Sequence, residues 1–269
     1  MSARIERRFA ALKAERRAGL IAYVMAFDPD RETSLEILKA LPAAGADLIE
    51  IGFPFSDPMA EGPSIQRASE RALKAGGSLR GALELVRRFR EGDRTTPLIL
   101  MGYANPVEQM GARAFADQAK AAGVDGVILV DIPPEEDADI RAALGGQGLS
   151  LIRLATPTTD DRRLPAVLEG VTGFLYYVSV TGVTGARAIG VESAAAAVTR
   201  LKRATDLPVA VGFGVRDAAQ AAAMAKVADA VVVGSAFVDA AAVAADPVAA
   251  VAAKVQELSA AIRGARRQD

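Results

Sequence analysis

The sequence predicts an α/β fold, a single (β/α)8 barrel preceded by an extra N-terminal helix. Three observations predict it. Short runs rich in Val, Ile and Leu recur eight times along the chain. The longer stretches between them are rich in Ala, Arg and Glu and have helical period, the pattern of repeated βα units. No Pro/Ser-rich linker or shift in composition divides the 269 residues, and about 250 residues suffice for one barrel of this kind. The apolar runs are nearly continuous, as parallel strands are when both their faces are covered. A doubly wound open sheet is the competing arrangement.

Taken in order, the chain opens with MSARIERRFAALKAERRAG. This is an amphipathic, charged helix over about residues 3–17 and lacks the apolar stretch of a signal peptide. The first strand is LIAYVMAFD (20–28), the second LIEIGFP (48–54), the third PLILMGYAN (97–105) and the fourth VDGVILVDI (124–132). The fifth is LSLIRLAT (149–156), the sixth GFLYYVSV (173–180), the seventh LPVAVGFGV (207–215) and the eighth ADAVVVGSA (228–236). A helical stretch follows each. The apolar fraction is 51%, enough for a large core without staples or metals. One domain spanning 1–269 is the expectation.

Composition then removes whole classes of chemistry. There is no Cys, so disulfides, thiolate ligands and Cys nucleophiles are excluded, and a reducing, cytoplasmic setting is expected. There is no His, which removes the Ser-His-Asp triad, the commonest general base and the usual metal ligand together. A net charge of −1 and 5% aromatic residues argue against nucleic acid as a partner. No apolar run approaches a membrane span. All seven Lys residues (13, 39, 74, 120, 202, 226 and 254) fall on expected helices, which argues against a Schiff-base Lys. Proton transfer is left to Glu, Asp or Tyr, and no metal site is expected.

In a barrel the active site lies at the C-terminal ends of the strands and in the loops that follow. The second strand places an acid there. Side chains alternate along a strand, so Leu48, Glu50 and Gly52 share one face and Ile49, Ile51 and Phe53 the other. With the apolar face against the helices, Glu50 points into the barrel, where desolvation raises a carboxyl's pKa and suits it to general acid or base work. The alternative is a structural Glu paired with a buried cation, for which Arg153 is the one basic residue within the expected strands. Glu61 follows in the loop DPMAEGP, whose Pro and Gly residues argue for fixed turns before a helix near Ser64. Taken alone it reads as an exposed loop acid.

A second cluster lies at the ends of the last three strands. GFGV (212–215) and GSA (234–236) open toward helical sequence, and Thr184 and Gly185 lie in the TGVTG stretch after the sixth strand. Gly at such positions lets backbone N–H groups approach phosphate oxygens, and a helix N-terminus adds positive potential. Glycines serving only tight turns are the alternative. Together these features point to cofactor-free carboxylate chemistry on a phosphorylated small molecule.

The stretches IEIGFPFSDPMAEGPSIQ, MGYANP, VDGVILVDIP, YYVSVTGVTGAR, GFGV and VVGSA resemble the tryptophan synthase alpha chain family, in family order over nearly the whole chain. The resemblance implies a TIM barrel that cleaves indole-3-glycerol phosphate to indole and glyceraldehyde 3-phosphate by retro-aldol chemistry. It assigns Glu50 as the catalytic acid/base, Glu61 as the acid facing the indole N–H, and Tyr176 to the site near the reacting carbon. It places Tyr23, Met101, Ile128 and Phe213 on the indole slot, Thr184 in a closing loop, and Gly185, Gly212, Gly214, Gly234 and Ser235 around the phosphate. It implies no cofactor in this chain and a pyridoxal-phosphate beta chain as partner in an α2β2 complex. The loops after the second and sixth strands, with MGYANP, are expected to face that partner. Two positions depart from the pattern: Glu61 stands where the family has Asp, and Tyr23 where it has Phe. The first departure keeps alive a catalytically weak subunit that serves only to activate its partner. Another phosphate-binding barrel of related chemistry is disfavoured by the lack of a strand-end Lys.

Overall fold

A computed structural model of the chain describes residues 2–178, 191–212 and 214–265. Helix α1 (Ala3–Ala14) precedes β1 (Gly19–Met25), and α2 (Arg31–Ala44) leads to β2 (Leu48–Gly52). Helices α3 (Pro63–Lys74) and α4 (Leu79–Gly92) precede β3 (Leu98–Gly102), and α5 (Ala104–Met110) and α6 (Ala112–Ala122) precede β4 (Gly126–Leu129). Helix α7 (Ala138–Gly146) leads to β5 (Ser150–Leu151) and β6 (Leu154–Ala155), and α8 (Leu164–Leu168) leads to β7 (Leu175–Val178). Helix α9 (Val191–Ala204) leads to β8 (Val209–Gly212), α10 (Ala218–Ala225) to β9 (Ala230–Val233), and α11 (Ser235–Val243) and α12 (Pro247–Gly264) follow.

The strands are parallel throughout and curl in the order β5-β4-β3-β2-β1-β9-β8-β7-β6. One expected strand, 149–156, is divided, and the division closes the barrel. Its first half pairs with β4 and its second with β7. Between them Ile152 N donates to Val127 O at 3.0 Å, while Tyr176 N donates to Arg153 O at 3.1 Å. Ile152 joins the inner core. Arg153 instead reaches the carbonyls of Ala166, Val167 and Glu169 and pairs with Asp137. A cation at the seam thereby satisfies carbonyls of α8 and the turn after it, and the buried carboxylate of Asp137 compensates its charge.

Two apolar layers result. The outer layer, between strands and helices, takes Ile49, Ile51 and Phe53 from β2 and its end. The inner layer takes Ile21, Leu48, Ile99, Ile128 and Ile152 from the strands and Ile5, Phe9 and Leu12 from α1. Contacts of α1 fall at strand starts: Leu12 lies against Gly19, and Ile5 against Gly126 and Gly173. Helix α1 therefore plugs the N-terminal end of the barrel and leaves the other end open. It stops at Ala14, short of the expected residue 17, because Arg16 takes a left-handed φ of 51°. That turn lets Arg17 make a bidentate pair with Asp47 at 2.8 Å.

Candidate active site

Strand β2 sets the first reactive group. Glu50 sits in register with Tyr23 on β1 and Ile99 on β3, and it is 0% exposed. Neither carboxyl oxygen has a hydrogen-bond partner among the described residues. Arg153 is engaged elsewhere, with Asp137, so the ion-pair alternative for Glu50 does not hold. Burial, and then the nearby charge of Glu61, push the Glu50 carboxyl up to about 8. At neutral pH this group holds its proton.

Glu61 comes from a loop that is tied down at several points. Ala60 N donates to Tyr103 Oη at 3.0 Å, Glu61 N to Pro58 O at 3.1 Å, and Gln66 Nε2 to Glu61 O at 2.9 Å. Below it, Ser69 Oγ accepts from Phe55 N and donates to Phe55 O. Pro63 at the start of α3, where its missing N–H costs nothing, fixes where the loop ends. The loop thus places Glu61, half-buried, over the barrel mouth with its carboxyl facing the cavity, where desolvation pushes it up to about 7. Its reading as a solvated loop acid fails for that reason.

Both carboxyls face one cavity of about 170 Å³, lined also by Tyr23, Met101, Tyr176, Gly212, Gly214, Gly234 and Ser235. Gly212 of this lining and Gly52 on β2 leave room for the two tyrosines with none to spare. A Cβ at Gly212 would lie 2.5 Å from the Tyr176 hydroxyl, and one at Gly52 would lie 2.2 Å from the Tyr23 hydroxyl. Both phenols are buried, and desolvation followed by the carboxylate charges holds their pKa values well above 10. They are neutral at any physiological pH. Across the cavity, Gly214 has a φ of 64°, and α11 begins at Ser235 with no side-chain cap. Its first turn offers positive potential to an anionic group.

Most residues expected at the site meet there, with specific exceptions. Ile128 is fully buried in the inner core and is not part of the cavity wall. It points inward as expected of a slot residue, but the inner layer fills the space around it. Thr184, Gly185 and Phe213 lie outside the described residues. Gly62, Ile65, Val178, Val215 and Val232 complete the lining. Strand alternation could have found two of them, since Val178 follows Tyr176 and Val232 precedes Gly234 on the same faces. Ile65 and Val215 carry no such signal. Among the described residues no cluster of three or more Asp or Glu could hold a metal ion, and no helix is long and apolar enough to cross a membrane.

Comparison with known proteins agrees with this geometry. The family model for the tryptophan synthase alpha chain matches residues 9–266. The tryptophan synthase alpha chain of Caulobacter sp. (strain K31) is 60% identical over 267 residues, 98% of this chain and 97% of that one. The crystal structure of tryptophan synthase subunit alpha from Legionella pneumophila str. Paris superposes with a TM-score of 0.91 at 41% identity, covering 97% of this chain and 98% of that one. A structure of tryptophan synthase from M. tuberculosis, in an open form with BRD0059 bound, matches with a TM-score of 0.88 at 37% identity, covering 97% and 99%.

Proposed function

This chain belongs to the tryptophan synthase alpha chain family and is the lyase subunit that cleaves indole-3-glycerol phosphate in tryptophan biosynthesis; we propose that its two cavity carboxyls carry the cleavage. Glu50, protonated at neutral pH, gives its proton to indole C3. The Glu50 carboxylate then takes the proton of the hydroxyl on the adjacent glycerol carbon, the bond from that carbon to C3 breaks, and the electron pair returns to the ring. Indole and glyceraldehyde 3-phosphate leave, and Glu50 is again protonated. Glu61, in its ionised form, accepts the indole N–H and stabilises the positive charge created when C3 is protonated.

The remaining lining follows from this assignment. Tyr176 stands near the reacting carbon, and Tyr23 and Met101 bound the indole slot. Gly212, Gly214, Gly234 and Ser235 receive the phosphate at the α11 N-terminus. Ile128 supports the slot through the inner layer, while Phe213, Thr184 and Gly185 enter through the resemblance alone. The carrying observation is a fully buried, unpartnered Glu50 facing the same cavity as a second raised carboxyl and an uncapped helix N-terminus. The reaction is assigned to side chains alone, without an organic cofactor or metal in this chain.

The family implies a beta-chain partner. We assign it an α2β2 complex in the cytoplasm, with pyridoxal phosphate held by the beta chain and the Glu61 loop on the contact face. Met59, on that loop, is 73% exposed, an apolar side chain suited to cover by a partner.

Indole release from indole-3-glycerol phosphate, alone and with a cognate beta chain, tests the reading. The wild type turns over, and Glu50→Gln does not. Glu61→Asp withdraws the carboxylate by about 1.5 Å and lowers turnover, because misplacement of about 1 Å can cost roughly 100-fold. An inactive wild type restored by Glu61→Asp would instead identify a subunit kept only to activate its partner.

A further inference from the structure

We propose that Asp239 is a positioning residue that links the Glu61 loop to the phosphate end of the cavity. The inference deepens the reading above and rests on its assignment of those two ends. Asp239 lies on α11, one helical turn beyond Ser235, and so shares a helix face with the residue at the cavity rim. Its Oδ2 accepts a hydrogen bond from Ser64 Oγ at 3.0 Å and pairs with Arg216 Nη1 at 3.4 Å. Ser64 is buried, three residues after Glu61, in the first turn of α3. Arg216 is two residues after Gly214 on the β8 loop. One carboxylate therefore joins the three loops that contribute Glu61, Gly214 and Ser235.

The two links differ in character. The Ser64 bond, at 3.0 Å, has a nine-tenths buried donor and lies next to the Glu61 loop, so it joins Tyr103 and Gln66 in setting where Glu61 stands. The Arg216 pair is longer, and Arg216 is 63% exposed, so it is a weaker restraint on the Gly214 loop. Arg71, further along α3, is held by Asp28 through two bonds at 2.7 and 2.8 Å. This anchors the body of α3, while Asp239 holds its first turn from the α11 side. An anion at Gly214 and Ser235 shifts or stiffens α11 and the β8 loop, and Asp239 transmits that to Ser64 and the Glu61 loop.

The links separate kinetically. Ser64→Ala cuts the route to Glu61 and is expected to lower kcat roughly tenfold with little change in KM. Arg216→Ala acts on the phosphate end and raises KM a few-fold with kcat nearly kept. Asp239→Ala does both, and adding Ser64→Ala to it lowers kcat no further. Asp239→Asn, whose amide oxygen still accepts from Ser64, restores kcat but not KM. A purely structural residue would lower thermal stability without this split.

A second measurement does not depend on turnover. Hydrogen exchange of residues 57–62 is followed with and without saturating glycerol 3-phosphate. Slower exchange on addition in the wild type, lost in Asp239→Ala, supports the link. Wild-type kinetics in Asp239→Ala, or the same slowing in that variant as in the wild type, or no slowing in the wild type, would overturn it. Failure of the catalytic reading looks different: indole release would survive Glu50→Gln while the exchange response of the Glu61 loop still required Asp239.

Discussion

Replacing Glu50 by Gln separates its electrostatic cost from its chemistry. The folded chain holds the Glu50 proton up to about pH 8, whereas the unfolded chain releases it near the ordinary carboxyl value of about 4.5. Between those values the unfolded state binds fewer protons, so stability falls as pH rises. One pH unit in that window corresponds to about 1.4 kcal/mol. The wild type therefore loses roughly 3 kcal/mol at pH 7 but under about 1 kcal/mol at pH 5. Glutamine has nearly the same shape and no charge to lose. Its buried amide costs the same at both pH values, so comparing them isolates the carboxyl. Thermal unfolding of both proteins at pH 5 and pH 7 is the assay. Going from pH 5 to pH 7 should favour the Gln variant by roughly 2.5 kcal/mol, or about 5 °C in Tm for a chain of this size. Indole release should be abolished throughout. A Tm difference independent of pH would refute the buried, neutral Glu50, and retained turnover would refute its catalytic role.

The rate should also report the carboxyl pair directly. kcat/KM rises as the first group ionises near pH 7 and falls as the second ionises near pH 8; the two limbs belong to the pair rather than to either residue, and a rate still climbing at pH 9 would exclude a protonated acid. Gly52→Ala forces a methyl against the Tyr23 ring and should destabilise by about 1–3 kcal/mol, partly relieved by Tyr23→Phe; equal stability of Gly52→Ala and wild type in thermal unfolding would contradict the packing. Arg153→Ala leaves the buried Asp137 with only the longer, 3.4 Å pair to Arg141 and frees the carbonyls of Ala166, Val167 and Glu169, and should cost about 3 kcal/mol in thermal or denaturant unfolding, a larger loss than a surface arginine's. Met59→Lys should leave the rate of the isolated chain unchanged and reduce its response to a beta chain, measured as indole release with and without that partner.

How much of this was readable in advance differs by residue. Glu50 was legible because alternation is local: five consecutive residues of β2 decide which side chains face inward. The glycines at the ends of β8 and β9 were legible for the same reason, standing where barrel strands present their loops. Glu61 was harder, since its burial depends on Tyr103, more than forty residues away, holding the loop down. The fifth strand read as one run, yet its two halves serve opposite edges of the sheet. No periodicity marks that change, which depends on Arg153 finding Asp137 and the carbonyls near α8. Ile128 shows the converse limit. Its face was predicted, but its depth along the barrel axis depends on how neighbouring strands are staggered.

Helix α1 has a consequence for how the chain is made. Its apolar residues Ile5, Phe9 and Leu12 belong to the inner layer, whose walls run from β1 to β9 and include Ala230 and Val232. The helix is therefore made before any strand of the barrel, but its seat is complete only when β9 has emerged. At roughly 5–20 residues per second, α1 waits on the order of ten to forty seconds before it can dock. Its three arginines, Lys13 and Glu6 keep it soluble through that interval, and its docking seals the N-terminal end of the barrel.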